Sequence, residues 1–178
     1  ATMRRLLLIF LLFPIVTSAQ ILSERDRAIL KDEILADRFD NLLPQLMDRA
    51  DIDMWLVISR EYNEDPVMRT MLPSSWLNAR RRTILVFYRN KELNTIEKIA
   101  VARYDVGENI TSAWDKEKQP DQWARLVEII GERNPNKIGI NTSENFGIAD
   151  GLVKTDYEEL LEALPAAMED KLVSAEKL

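Results

Sequence analysis

Met54-Trp55-Leu56-Val57-Ile58 is a continuous apolar run of five residues, bounded by Asp51-Ile52-Asp53 on one side and Ser59-Arg60 on the other. A run this short has no room for an amphipathic helix. Its aromatic and β-branched content suits a strand covered on both faces. A second such run, Thr83-Ile84-Leu85-Val86-Phe87-Tyr88, is followed by the polar turn Arg89–Asn94 and a third strand, Ile96–Tyr104. Thr95, Glu97 and Arg103 suit its exposed side, and the pair reads as an antiparallel hairpin.

Helical patterns lie on either side. Ser23 with Asp26 three residues later marks a helix start. Apolar residues then recur at Ile29-Leu30, Ile34-Leu35, Phe39, Leu42-Leu43 and Leu46-Met47, which is one greasy helical face. Pro44 should kink or restart that helix. Downstream, Asp121–Glu132 is amphipathic, with Trp123, Leu126, Val127 and Ile130 on one side, and Asn134-Pro135-Asn136 ends it. Lys137–Asn141 is a fourth strand. Thr155 and Glu158 form a capping box for a helix ending near Pro165, and Lys171–Val173 is a last short strand. Strands alternating with helices after a hairpin predict an α/β fold with a mixed β-sheet flanked by helices.

Composition removes whole classes of chemistry. The 178 residues contain no cysteine and no histidine, so disulfides, thiol catalysis, a Ser-His-Asp triad and any His- or Cys-bearing metal site are excluded from this sequence. A net charge of −6, with both signs scattered, argues against nucleic acid as a partner. The carboxylates Asp51, Asp53, Glu61, Glu64 and Asp65 match no calcium-loop spacing and read as a solvated group. Asn109-Ile110-Thr111 and Asn141-Thr142-Ser143 are formal glycosylation sequons, read as chance.

The first stretch reads as an export signal. Ala1-Thr2 precede the methionine and read as a vector remnant; Met3-Arg4-Arg5 is basic, Leu6–Val16 is apolar, and Thr17-Ser18-Ala19 supplies small residues for cleavage. The apolar run is too short to span a hydrocarbon core of ~30 Å comfortably. The expectation is a signal peptide over 1–19, weighed against an uncleaved membrane anchor or a buried helix, then a mature domain over 20–173 with no membrane contact after cleavage, and a periplasmic or secreted location in a bacterium.

Two features invite function. The long segment Arg60–Arg82 has no period and carries Tyr62, Asn63, Pro66, Pro73, Trp76 and Arg80; loops of this length inside compact domains are often functional. Arg80-Arg81-Arg82 has two readings, carboxylate or phosphate binding and salt-bridging to acidic helices. Strand geometry would turn Arg81 away from its two neighbours. Trp55 and Trp123 sit in apolar periodic segments and belong to the core, whereas Trp76 and Trp114 sit in polar segments that suit either an interface or local packing.

Five segments, in order, resemble the amino-terminal domain of the creatinase/aminopeptidase P/prolidase (pita-bread) metallopeptidases: Ile52–Pro66, Ala79–Phe87, Tyr104-Asp105-Val106-Gly107, Ser112-Ala113-Trp114-Asp115 and Lys137–Asn141. The subgroup resembled is that of exported bacterial Xaa-Pro aminopeptidase-like proteins. The resemblance implies a creatinase N-terminal-domain-like sheet with a ribonuclease H-like motif and no chemistry of its own. It also implies a separate catalytic domain holding two divalent metal ions through two Asp, one His and two Glu residues. None of those ligands can be placed in this chain, so no catalytic or metal-binding residue and no cofactor is expected within it. Residues 174–178 would begin the linker to that domain. The expected role is support: homodimer contacts, and loops that narrow the access of a peptide substrate, with Tyr62, Asn63, Trp76, Arg80 and Trp114 as candidates. The alternative is a free-standing binding or assembly module derived from such a peptidase. Either way, apolar surface should stand exposed where a partner would sit.

Overall fold

The computed structural model describes residues 21–178. The expected signal segment, 1–19, lies outside the described residues. Six strands form one sheet: β1 (Met54–Arg60), β2 (Arg82–Asn90), β3 (Thr95–Val101), β4 (Thr111–Ser112), β5 (Ile138–Ile140) and β6 (Leu172–Ser174). Their spatial order is β4-β3-β2-β1-β5-β6. β1–β2 and β2–β3 are antiparallel, while β3–β4, β1–β5 and β5–β6 are parallel. The chain therefore has the mixed sheet flanked by helices that its alternating pattern predicts.

The apolar run at 54–58 is divided evenly by the pleat. Trp55 and Val57 enter one core, with Leu85, Phe87 and Ala100. Met54, Leu56 and Ile58 enter the other, with Ile84, Val86, Ile99 and Val101. The first core is roofed by α1 (Glu24–Asp37), a π-helical turn (Arg38–Leu42) and α2 (Leu43–Ala50), together with α3 (Met68–Met71) from the long segment. The second is covered by α4 (Gln122–Arg133) and α5 (Lys154–Ala163), with the short α6 (Ala166–Glu169) beyond them. Phe87 stands at the centre of the first core, its ring 5.4 Å from that of Phe39 and 5.6 Å from that of Trp55.

Several local expectations are refined. The Ser23 hydroxyl caps α1 by accepting the Asp26 N–H at 3.2 Å. Pro44 restarts the helix without a break, because it falls in the first turn of α2, where its missing N–H is not needed, and the π-helical turn takes up the register change. The greasy face of α1 is only partly used. Leu35, Phe39, Leu43 and Met47 are buried, but Ile29, Leu30, Ile34 and Leu42 remain about half exposed. The middle of α1 is tied to the loop at 73–74: Asp32 accepts from the Ser74 N–H at 2.6 Å and Lys31 donates to the Pro73 carbonyl. The capping box at Thr155 and Glu158 is absent, since α5 starts one residue before Thr155 and has Val153 at its cap position without a side-chain bond. The third strand stops at Val101, short of Tyr104. Ala175 is buried, and the Leu178 N–H closes a turn onto its carbonyl at 2.9 Å.

Truncation of Phe87 removes the ring shared by two aromatic partners. Phe87→Ala is expected to cost about 3–5 kcal/mol, read as a lowered urea midpoint. Ile29→Ser on the open face of α1 should stay within about 0.5 kcal/mol of the parent protein; a loss at Ile29 comparable to that at Phe87 would contradict the exposed placement of this face.

Candidate functional site

The pairing pattern gathers the loops. β1, β3, β4, β5 and β6 all run in one direction, so their carboxyl ends open on the same side as the start of β2. The segments 61–81, 102–110, 113–121 and 141–153 therefore leave the sheet together. Among them lies a cleft of about 520 Å³, lined by Glu61, Trp76, Arg80–Thr83, Ala102–Tyr104, Trp114, Lys116 and Gln122.

Three of the five candidates named from sequence meet in this cleft: Trp76, Arg80 and Trp114. Trp76 is buried and contributes to the first core, and the Arg80 guanidinium lies 4.7 Å above its ring. Trp114 is half-buried and donates its indole N–H to the Gln119 carbonyl at 2.7 Å. Tyr62 and Asn63 do not line the cleft. They form the turn that closes on Arg60, with Tyr62 88% exposed and its backbone at φ 69°. Arg103, Tyr104, Lys116 and Gln122 join the cleft without having been singled out for it. The signal for Arg103 was the hairpin register: with Ile84 opposite Val101, the residues just before β2 lie beside those just after β3. Gln122 pins this edge, its amide donating to the Arg82 carbonyl at 3.0 Å and the Val101 carbonyl at 2.6 Å.

The fold divides the arginine triplet: Arg82 takes the salt-bridging reading, and Arg80 and Arg81 do not. Arg82 begins β2 and turns to α5, where its Nε donates to Asp156 at 3.0 Å and its guanidinium also meets Glu159. It lies 4.7 Å over the Trp123 ring. Arg60 adds two Nε contacts, at 2.9 and 3.1 Å, and one Nη2 bond at 2.8 Å to the same Asp156 carboxylate, which is fully buried. The ends of β1 and β2 are thus bolted to α5 through one carboxylate between two guanidinium groups. The Trp123 indole N–H, donating at 2.9 Å, leads in holding the Glu159 carboxyl below its ordinary range, assisted by the Arg82 and Arg60 charges against the opposing effect of burial. Arg80 and Arg81, by contrast, have no carboxylate within ion-pairing distance among the described residues. The expected turning away of Arg81 does not occur. Its φ of 52° breaks the strand alternation, and Glu61 locks the bend by accepting the Arg81 N–H at 3.0 Å and donating its own N–H to the Arg81 carbonyl at 2.6 Å.

The acidic group read as solvated is scattered by the fold. Asp51 and Asp53 lie at the far end of β1 with Lys91 and Lys137. Asp65 is fully buried. It accepts from the Val67 N–H at 2.7 Å and from the Asn141 amide at 2.7 Å, and Asn141 in turn accepts the Trp55 indole N–H at 2.8 Å. This chain ties the long segment to β1 and β5 and buries Asn141. Burial pushes the Asp65 carboxyl above its ordinary value, against the hydrogen bonds that favour its charge. Gly151 packs so closely that a Cβ there would stand 2.3 Å from the Asp65 carboxyl carbon. Among the described residues no three Asp or Glu side chains are grouped to hold a metal ion, and no helix is long and apolar enough to cross a membrane. The cleft offers cationic and aromatic binding groups.

No family model matches the chain, and no curated protein matches it. Among solved structures, a Xaa-Pro dipeptidase from Bacillus anthracis matches with 18% identity and a TM-score of 0.42, over 83% of this chain and 33% of that one. The chain thus spans about a third of the length of that dipeptidase. Identity and superposition at this level carry no argument about function.

Two measurements probe the buried carboxylates. Asp156→Ala leaves Arg60 and Arg82 without their shared partner and is expected to cost about 3 kcal/mol in urea unfolding; a loss below about 0.5 kcal/mol would show that the pair of arginines does not clamp α5. For Asp65 the sign follows from its raised value in the folded protein. The stability it contributes is fully present below the unfolded value of 3.8 and is lost as pH rises through the folded value. Relative to Asp65→Asn, the parent protein should therefore lose stability as pH rises above 3.8, the other carboxylates cancelling in the comparison. A pH-independent difference would refute the buried, proton-retaining environment.

Proposed function

We propose that this chain is the non-catalytic amino-terminal domain of an exported, Xaa-Pro aminopeptidase-like metallopeptidase. The reading rests on five segments in family order and on a sequence without histidine, which cannot supply the family's metal ligands. The observation that carries the supporting role is the meeting of Trp76, Arg80 and Trp114 in one cleft where the loops leave the sheet. Side chains placed there can border a substrate path to a neighbouring catalytic domain, whose two divalent metal ions would do the hydrolysis. The half-exposed Ile29, Leu30 and Ile34 on α1 suit a further contact, with that domain or with a second copy in a homodimer. A second reading is a free-standing binding module. It is favoured by the unpaired cations of the cleft, which can hold a ligand without any catalytic partner.

The test is hydrolysis of a Xaa-Pro peptide with added manganese or zinc, by this chain and by a version extended through the coding sequence that follows it. Only the extended protein is expected to cleave. Trp76→Ala within it should raise KM by about tenfold, as loss of an aromatic contact does, with the fold checked by circular dichroism. Cleavage by the short chain alone would overturn the non-catalytic assignment. An inactive extended protein would favour the binding module.

A further inference from the structure

We propose that the cleft between Trp76 and Trp114 is a binding site in its own right for short acidic peptides, whose carboxylates pair with Arg80, Arg103 and Lys116. Five cationic side chains line this cleft against a single carboxylate, Glu61. Arg82 is already neutralised by Asp156 and Glu159. Arg80, Arg81, Arg103 and Lys116 have no carboxylate partner among the described residues, in a protein whose net charge is −6. With acids in excess over the whole chain, four unpaired cations around one concavity are not a matter of composition. The fold assembles them from three separate segments. Unpaired guanidinium groups facing a cleft are ready to form charge-assisted, bidentate bonds to carboxylates.

The aromatic residues shape the site further. The Arg80 guanidinium carbon lies 4.7 Å from the centre of the Trp76 ring, a cation–π contact that leaves guanidinium N–H groups available for an acceptor. The indole N–H of Trp114 is already satisfied within the protein, so its ring offers an apolar wall rather than a donor. Glu61 accepts the Arg81 N–H and forms no ion pair with these side chains, so its single negative charge leaves the cleft net positive. A volume of about 520 Å³ holds a ligand of a few residues. Extended polyanions are disfavoured. A nucleic-acid strand would run beyond the cleft onto a surface of net negative charge, whereas a short acidic peptide keeps its charges inside. The site needs no metal and no catalytic domain, so it does not depend on the peptidase reading.

The experiment is isothermal titration calorimetry of the 178-residue chain at low ionic strength with triglutamate, and with triglutamine as the uncharged control. Triglutamate is expected to bind at least about tenfold more tightly than triglutamine, with an affinity that falls as salt is raised. Arg80→Gln/Arg103→Gln, both at exposed positions and verified as folded by circular dichroism, should weaken triglutamate by about tenfold or more, and Lys116→Gln by a smaller factor. Equal affinity for the two peptides, or unchanged binding by the folded double variant, overturns the proposal. Tighter binding of tripolyphosphate or of a four-residue oligothymidylate than of triglutamate overturns the peptide as ligand and makes the site one for phosphate. A peptidase-inactive extended protein would not affect this result, and a silent titration with triglutamate overturns the proposal while leaving the domain assignment standing.

Discussion

Everything in this fold hangs on the burial of β1 from both sides. Its residues have neighbours on two edges, β2 and β5, and on two faces, so Met54 to Ser59 are all removed from water. A strand in that position cannot slip by one residue without exchanging the sets that face the two cores, Trp55 and Val57 for Met54, Leu56 and Ile58. Its register with β2 then places Trp55 beside Phe87 and Arg60 beside Arg82. The first pairing builds the aromatic centre beneath α1 and α2. The second brings two guanidinium groups onto the same buried carboxylate.

That carboxylate, Asp156, converts a hydrophobic arrangement into a directional one. Apolar packing of α4 and α5 on the sheet tolerates small rotations, but a carboxylate held by Arg60 and Arg82 does not. The cost of burying the charge is offset by four guanidinium contacts, and the Trp123 ring covers Arg82 from the other side. One consequence reaches the surface. With Arg82 fixed toward α5, the backbone turns at Arg81 through a left-handed conformation, and Arg80 and Arg81 line the cleft with no carboxylate in ion-pairing distance among the described residues. The structural clamp and the candidate binding site are thus two sides of one three-residue segment.

The long segment between β1 and β2 shows how a polar, aperiodic sequence can still be structural. Asp65, Met68, Met71, Leu72, Trp76 and Ala79 are all buried, so the segment is a lid on the first core as well as a wall of the cleft. Its charged residues obscured this in the sequence, because burial here depends on single side chains meeting distant partners. Asp65 reaches Asn141, and Asp32 of α1 reaches Ser74. Neither pairing has a local periodicity that could announce it.

The amino-acid sequence by itself determined five of the six strands, the long helices and the mixed sheet, because short apolar runs and helical spacing are local consequences of which side chains must leave water; the two-residue β4, inside a stretch read as a polar connection, was not legible. It also excluded histidine- and cysteine-dependent chemistry outright, and it identified Trp55 and Trp123 as core and Tyr62, Asn63, Trp76, Arg80 and Trp114 as candidates, of which Tyr62 and Asn63 lie outside the cleft. Tertiary structure alone decided the rest. It chose which half of the greasy face of α1 would be covered, which arginine of the triplet would be neutralised, and that Arg103, Tyr104 and Lys116 would join a cleft with residues from a different loop. The physical reason is range. Solvent avoidance is written residue by residue along the chain, but charge pairing and cleft formation depend on strand register and on where loops meet, and these exist only once the sheet has closed.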